Sequence, residues 1–298
     1  MRRYFITGGT GFIGRELVRQ LLARDDTERI VCLTRGHRAN LIEDPRVKYK
    51  IGDITDFAFP DSIYSRKGKW FTDLIHGANE VNDLLQPDQL RYYYTIVEGT
   101  NRILKWAATN DIPFERILIL SSGAVARDTL YGRAKRHCEI LARHYGGNTK
   151  IARIFSVIGP EMPLNGQYAA GRFVGQALAE KRIQFYGGTS VRSYLDVSDC
   201  AKWLLEILKE APPYHPIDVA GNDPITIGAL AQLTGMVFGV PVTRIEGPDR
   251  SDEYLHDLTD SANLGLHQTL NLTQSLERIH AHYKAVPHVL RSDMEPAA

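Results

Sequence analysis

Two side chains able to move a proton stand one helical turn apart in "LYGRAK" (130–135): Tyr131 and Lys135. A free phenol titrates near ~10, too high to exchange protons readily at neutral pH. A nearby ammonium favours the phenolate. At about 4 Å and an effective dielectric of about 20, that attraction is worth roughly 4 kcal/mol. It amounts to about three pKa units before desolvation opposes it. The i, i+4 spacing puts both groups on one helix face. A surface Tyr–Lys pair has the same spacing, so the surrounding elements decide its meaning. Upstream stands Ser122, separated from Tyr131 only by "GAVARDTL" (123–130). Nine steps of chain still reach up to about 30 Å when extended, enough for both to face one substrate. Asp128 or Thr129 is placed to cap the helix.

The elements that must position these groups alternate along the chain. Strand-like runs lie at 3–7, 29–34, 47–52, 73–78, 116–122 and 150–159, with a late one at 215–221. Amphipathic helical stretches at 11–23, 90–109 and 131–145 fall between them, and another covers 199–210. Such alternation argues for βαβ units and a parallel sheet. The rhythm breaks after Pro160. The segment 161–192 is richer in glycine, and the chain from Pro224 is mainly helical, most clearly over 226–239. The expected architecture is α/β: a Rossmann-type, doubly wound parallel sheet with a smaller C-terminal substrate-binding lobe. The core takes residues 1–160 and 193–221, and the lobe takes 161–192 and 222–298.

Gly8, Gly11 and Gly14 in "TGGTGFIG" (7–14) lie directly between the first strand and the first helix. Glycines there permit the tight turn and let a helix N-terminus approach a pyrophosphate. Thr10, Phe12 and Ile13 belong to the same turn and are candidate dinucleotide contacts. The second strand indicates which dinucleotide. NAD sites usually carry an acid at its end for the ribose 2′-hydroxyl. Here Thr34 takes that place, followed by Arg35 and Arg38. A guanidinium pairs with a 2′-phosphate that an acid would repel. NADP(H) is therefore expected, with NAD(H) as the alternative. Asp53 and Ile54 in "GDITD" (52–56) could border the adenine. His76, Gly77 and Ala78 in "HGAN" (76–79) could line the middle of the cofactor, although His76 could equally be a satisfied core histidine.

These segments, with "EGT" (98–100), "LSSGAV" (120–125), "YGRAK" (131–135), "RIFSVIGP" (153–160) and "VRSYLDVSD" (191–199), resemble the extended short-chain dehydrogenase/reductase family. That family comprises nucleotide-sugar epimerases, dehydratases and ketoreductases. The motifs run in family order and cover most of the chain. The resemblance implies that Ser122 holds a sugar oxygen while Tyr131 and Lys135 carry the proton chemistry, Lys135 also reaching the nicotinamide ribose. It implies Arg192 as a diphosphate ligand, with Arg250 and Ser156 as further substrate contacts and Gln176, Phe185 and Tyr186 near the nucleotide. It also implies a homodimer built on a four-helix bundle from helices 90–109 and 131–145.

Departures from the family pattern narrow the chemistry. Ala124 stands where dehydratases of the family place an acid, which disfavours 4,6-dehydration. Ser156 and Thr95 each replace an asparagine common in relatives. The expected function is NADP(H)-dependent reduction of a keto-sugar nucleotide with Tyr131 as proton donor. A nucleotide-sugar epimerase that keeps its cofactor, or a non-catalytic nucleotide-binding relative, would share much of this pattern.

Composition sets outer limits. Among 298 residues, 36 basic and 35 acidic side chains leave a net charge of +1, which steers the chain toward neither nucleic acid nor a membrane surface. Cys32, Cys138 and Cys200 lack metal-ligand or redox spacing, so no metal site is expected. No apolar run reaches membrane-spanning length, and the N-terminus enters a strand without room for a signal peptide. A cytoplasmic location is expected.

Overall fold

A computed structural model describes residues 1–36, 41–56, 71–79, 89–109, 114–164, 168–249, 251–254 and 256–285. In chain order the elements begin with β1 (Arg2–Thr7), α1 (Phe12–Leu22), β2 (Thr27–Thr34), β3 (Val47–Ile51), β4 (Asp73–His76) and α2 (Gln89–Thr109). Next come β5 (Arg116–Ser122), α3 (Leu130–Tyr145), β6 (Thr149–Ile154), β7 (Ser156–Ile158), α4 (Ala169–Ala179), β8 (Ile183–Phe185) and β9 (Val191–Asp196). The remainder is α5 (Val197–Glu210), β10 (Pro216–Val219), β11 (Pro224–Thr226), α6 (Ile227–Phe238), β12 (Val242–Arg244), α7 (Thr259–Asn263) and α8 (Leu272–Ala285).

The chain divides into two compact units. The first holds Met1–Ile154, Ala201–Asp218 and Thr259–Leu266, and the second holds Phe155–Cys200, Val219–Leu258 and His267–Ala298. The seven-stranded sheet runs β10-β6-β5-β4-β1-β2-β3, and neighbours from β6 through β3 pair in parallel. This is the doubly wound, Rossmann-type parallel sheet that the alternation predicts. Its strands read as apolar runs because helices cover them: Phe5, Ile30, Leu74, Ile75 and Leu118 are all fully buried. Phe5 meets Trp106 of α2 edge-on at 5.1 Å between ring centroids, and Trp106 meets Phe114 at 5.2 Å. Strand order reverses between β1 and β4, so the loops leaving them diverge and open a crevice at their carboxyl ends. Gly8 follows one of those strands and Gly77 the other.

In the second unit β9 lies between β7, parallel to it, and β11, antiparallel to it, while β8 pairs with β12. Here the structure corrects the sequence reading. The expected strand 150–159 is two strands, broken at Phe155, whose amide bonds to Val219 O. The glycine-rich stretch after Pro160 contains α4. Its Gly171 exists for close approach: a Cβ there would lie 2.1 Å from Pro163 O. The region after Pro224 holds two strands as well as helices. Among the described residues, no helix is long and apolar enough to cross a membrane.

Candidate active site

The turn after β1 is shaped for a closely held ligand. Gly8 has φ +77°, and a Cβ on it would lie 2.6 Å from the Gly77 carbonyl carbon across the crevice. A Cβ on Gly14 would lie 2.1 Å from Gly8 O, so only glycine lets the first turn of α1 pack against the loop. Gly11 caps α1 without a side-chain hydrogen bond, and the first turn carries no acid. The positive end of the helix therefore meets no carboxylate of its own, the condition for an anion such as a pyrophosphate. Thr10 is buried, while Phe12 and Ile13 open α1 half-buried. These residues fit a dinucleotide.

At the ends of the neighbouring strands, Thr34 Oγ1 donates to Gly36 O at 3.0 Å, and Arg35 is exposed. Arg38 lies outside the described residues. Asp53 closes a local turn, accepting from the amide and hydroxyl of Thr55 at 2.8 Å each. Ile54 is 7% exposed and packs into the core above Gly99 of α2, where a Cβ would lie 2.4 Å from its Cδ1.

His76 is held from both sides. Its Nδ1 lies 2.7 Å from Thr7 Oγ1, and its Nε2 lies 3.1 Å from Thr100 Oγ1. Proton directions follow from valence. Thr100 donates to Ile96 O, so it accepts from Nε2–H. Thr7 Oγ1 accepts the Ala78 amide at 3.0 Å and donates its own proton to Nδ1. Burial, with Lys135 nearby, pushes the pKa of His76 down to about 3, so the ring is neutral. The histidine therefore acts through the backbone, fixing the segment Gly77–Asn79 that leaves β4.

The short segment between Ser122 and Tyr131 is fully structured. Ser122 Oγ accepts the Ala124 amide at 3.2 Å and starts a single 3₁₀ turn over Gly123–Ala126. Thr129 then caps α3, its Oγ1 accepting from Gly132 N at 3.0 Å. Asp128 pairs instead with Arg133 at the surface. Gly132 is required here, because its Cβ would lie 2.3 Å from Ala124 O and 2.4 Å from Arg127 O. Ser122, Tyr131 and Lys135 all lie in the first unit, on β5 and the first turns of α3.

Lys135 is 5% exposed, with Nζ 2.8 Å from Leu120 O and 5.8 Å from the centroid of the Tyr131 ring. Burial lowers its pKa, while Cys138 and Glu139 oppose that shift. One turn further on, Glu139 grips Arg153 of β6 through two bonds, 2.9 and 2.8 Å, and accepts from Ser121 at 2.7 Å. These bonds fix α3 against the sheet. Asn79, which the sequence reading gave only as the end of "HGAN", donates from Nδ2 to Tyr131 Oη at 3.1 Å. Its place directly after "HGA" was the available signal.

In the second unit Ser156 opens β7 opposite Tyr194. Arg192 Nη2 donates to both Asp252 carboxylate oxygens, at 2.9 and 3.0 Å, with its guanidinium 5.7 Å from the Tyr254 ring. Gln176 Oε1 accepts from Gln184 N at 3.3 Å, Phe185 is buried, and Tyr186 is exposed beside Arg172. Arg250 lies outside the described residues. Thr95 bonds back to Arg91 O within its own helix. Among the described residues, no cluster suited to a metal ion occurs.

Comparison with known proteins adds an independent line. The NAD dependent epimerase/dehydratase family matches over residues 4–220. The chain is 27% identical to UDP-glucuronic acid decarboxylase 2 of Arabidopsis thaliana, covering 92% of this chain and 66% of that protein. It is 29% identical to UDP-glucuronic acid decarboxylase 6 of the same plant, covering 77% and 72%. The chain thus spans only about two-thirds of the first of these relatives. Among solved structures, the Bordetella bronchiseptica enzyme WbmF in complex with NAD+ superimposes with a TM-score of 0.85 at 19% identity, covering 98% and 96%. The last similarity is one of fold.

Proposed function

The chain belongs to the NAD dependent epimerase/dehydratase family, and within it we propose an NADP(H)-dependent oxidoreductase that reduces a keto-sugar nucleotide. The observation that carries this reading is the buried Lys135 beside the Tyr131 phenol, held at the crevice end of the sheet. A bound nicotinamide supplies hydride to the carbonyl carbon. Tyr131 gives its Oη proton to the carbonyl oxygen, and Ser122 Oγ donates to that same oxygen. Lys135, anchored on Leu120 O, offsets the phenolate charge that remains. Arg192, Ser156 and Arg250 are the proposed substrate contacts. Arg192 already holds an anion, the Asp252 carboxylate, through Nη2, and its planar, permanently charged guanidinium suits a diphosphate.

Thr34, Arg35 and Arg38 in place of an acid support NADP(H) over NAD(H), with the remaining cofactor contacts as predicted from the sequence except His76, whose ring nitrogens are engaged by Thr7 and Thr100. A second reading, an epimerase that recycles its cofactor internally, is favoured by the sugar-nucleotide enzymes among the relatives. Exposed Leu90, Tyr94 and Ile140, on α2 and α3, support pairing with a second copy through those helices. Light scattering at twice the chain mass, abolished by Ile140→Glu, would bear that out. The three buried free cysteines support a reducing, cytoplasmic setting.

The deciding experiment follows NADPH absorbance at 340 nm with 4-keto sugar nucleotides. Stoichiometric loss supports the reductase, and sugar interconversion without net loss supports the epimerase. Tyr131→Phe should bind cofactor normally yet turn over roughly 100- to 10,000-fold more slowly. No turnover by the unmodified protein across a broad panel of sugar nucleotides would sink both readings.

A further inference from the structure

The contact between Asn79 and Tyr131 carries more than packing. Asn79 ends a segment tethered to β1 by two successive amides, Gly77 N to Thr7 O and Ala78 N to Thr7 Oγ1, at 3.0 Å each. Its Nδ2 reaches Tyr131 Oη at 3.1 Å, and its Oδ1 is buried without a hydrogen-bond partner. A buried amide oxygen left in this state is a cost that ordinary sites avoid. Turning the amide over would give Oδ1 a partner, because the phenol would donate to it. That same turn would commit the phenolic proton to the protein.

We propose that Asn79 is a positioning residue for Tyr131: its amide N–H donates to Oη, so that the phenolic proton stays available to a substrate oxygen and the phenolate left behind is stabilised. The proposal rests on the reading of Tyr131 as the proton donor. In the transfer, the Tyr131 O–H bond breaks and a bond from that proton to the substrate oxygen forms. The electron pair would come as hydride from a bound nicotinamide to the carbonyl carbon. The negative charge left on Oη then meets one hydrogen-bond donor, the Asn79 amide, and the field of the Lys135 ammonium, whose Nζ lies 5.8 Å from the ring centroid. A hydrogen bond made to the charged form lowers a phenol's pKa, and one made to the neutral form's proton raises it.

The test is the ultraviolet titration of Tyr131 in the full-length protein. It is obtained by subtracting the phenolate spectrum of Tyr131→Phe from that of the parent, in wild-type and Asn79→Leu backgrounds. Leucine keeps the branching of asparagine at Cγ and removes the unpartnered oxygen, so the lost desolvation cost offsets its extra bulk and Asn79→Leu should melt within a few degrees of the parent. The Tyr131 titration should move up by about one to two units, and kcat should fall roughly tenfold or more with little change in KM. Asn79→Ala serves as the second variant, with the same expected shift. An unmoved titration overturns the proposal. So does a downward shift, which would mean that the phenol donates to Asn79. An upward shift with unchanged kcat also overturns it. Failure of the underlying reading shows separately, as undiminished turnover in Tyr131→Phe itself.

Discussion

His76 Nδ1 lies 2.7 Å from Thr7 Oγ1, and the same threonine oxygen accepts the Ala78 amide. One buried, neutral imidazole thus ties the ends of β1 and β4 together at the point where the sheet order reverses. The glycine turn proposed for a cofactor phosphate and the segment that carries Asn79 share this anchor.

That anchor makes stability depend on acid. The folded-state pKa of His76, about 3, lies below the ordinary value near 6.5. Between those values the unfolded chain binds a proton that the folded chain does not. The contribution is complete above pH 6.5 and is lost as pH falls toward 3. From this group alone, stability at pH 5 should be about 2 kcal/mol lower than at neutral pH. Urea unfolding at pH 7 and pH 5 measures the loss. His76→Asn should show a lower stability at pH 7 and a visibly flatter dependence on pH.

Gly132→Ala tests the joint between the short turn and α3. The new methyl would press on the carbonyl oxygens of Ala124 and Arg127, both backbone atoms with little room to yield. A loss of about 2–3 kcal/mol is expected, as for an overpacked interior site. Turnover should fall as well, because Tyr131 is the preceding residue. Thermal unfolding and steady-state assay at low temperature separate the two effects. Unchanged stability would mean that the turn is looser than its contacts indicate.

Arg35→Ala combined with Arg38→Ala tests cofactor choice. Each charge-assisted hydrogen bond to a 2′-phosphate is worth roughly 1.5–3 kcal/mol, about 10- to 100-fold in affinity. NADPH should bind more weakly by at least that factor, while NADH, lacking the phosphate, should change little. Calorimetric titration with both dinucleotides decides it. Equal losses for the two would remove the basis for NADP(H).

Much of the first unit was legible because its signals are local. Apolar runs alternating with amphipathic stretches placed β1 to β6 and α1 to α3 within a few residues, and strand–glycine–helix order located the Gly8–Gly14 turn. Thr129 as helix cap was readable as one of two choices, and geometry selected it. What stayed hidden depends on distant partners. The place of Asn79 directly after "HGA" puts it at a strand end, but no local signal names its partner, Tyr131, fifty-two positions away. Glycines 171 and 175 hid α4 in a stretch that showed only glycine and a broken rhythm, because their value lies in contact with Pro163 and Leu164 rather than in helix propensity. The break at Phe155 was invisible for a related reason: "RIFSVI" carries no glycine, proline or turn residue pair to mark it, and only its pairing partners divide it.

The division of the chain has a practical corollary. It passes from one compact unit to the other at 154/155, 200/201, 218/219, 258/259 and 266/267. No single cut therefore releases either unit as a continuous fragment. A truncation ending at residue 160 would lack β10, which borders β6 at the sheet edge, and the piece Thr259–Leu266. On the ribosome the same interleaving delays completion, since the first unit must wait for Thr259–Leu266, made more than a hundred residues after its sixth strand. Anyone seeking a minimal cofactor-binding module from this sequence would have to rewire its connectivity rather than trim it.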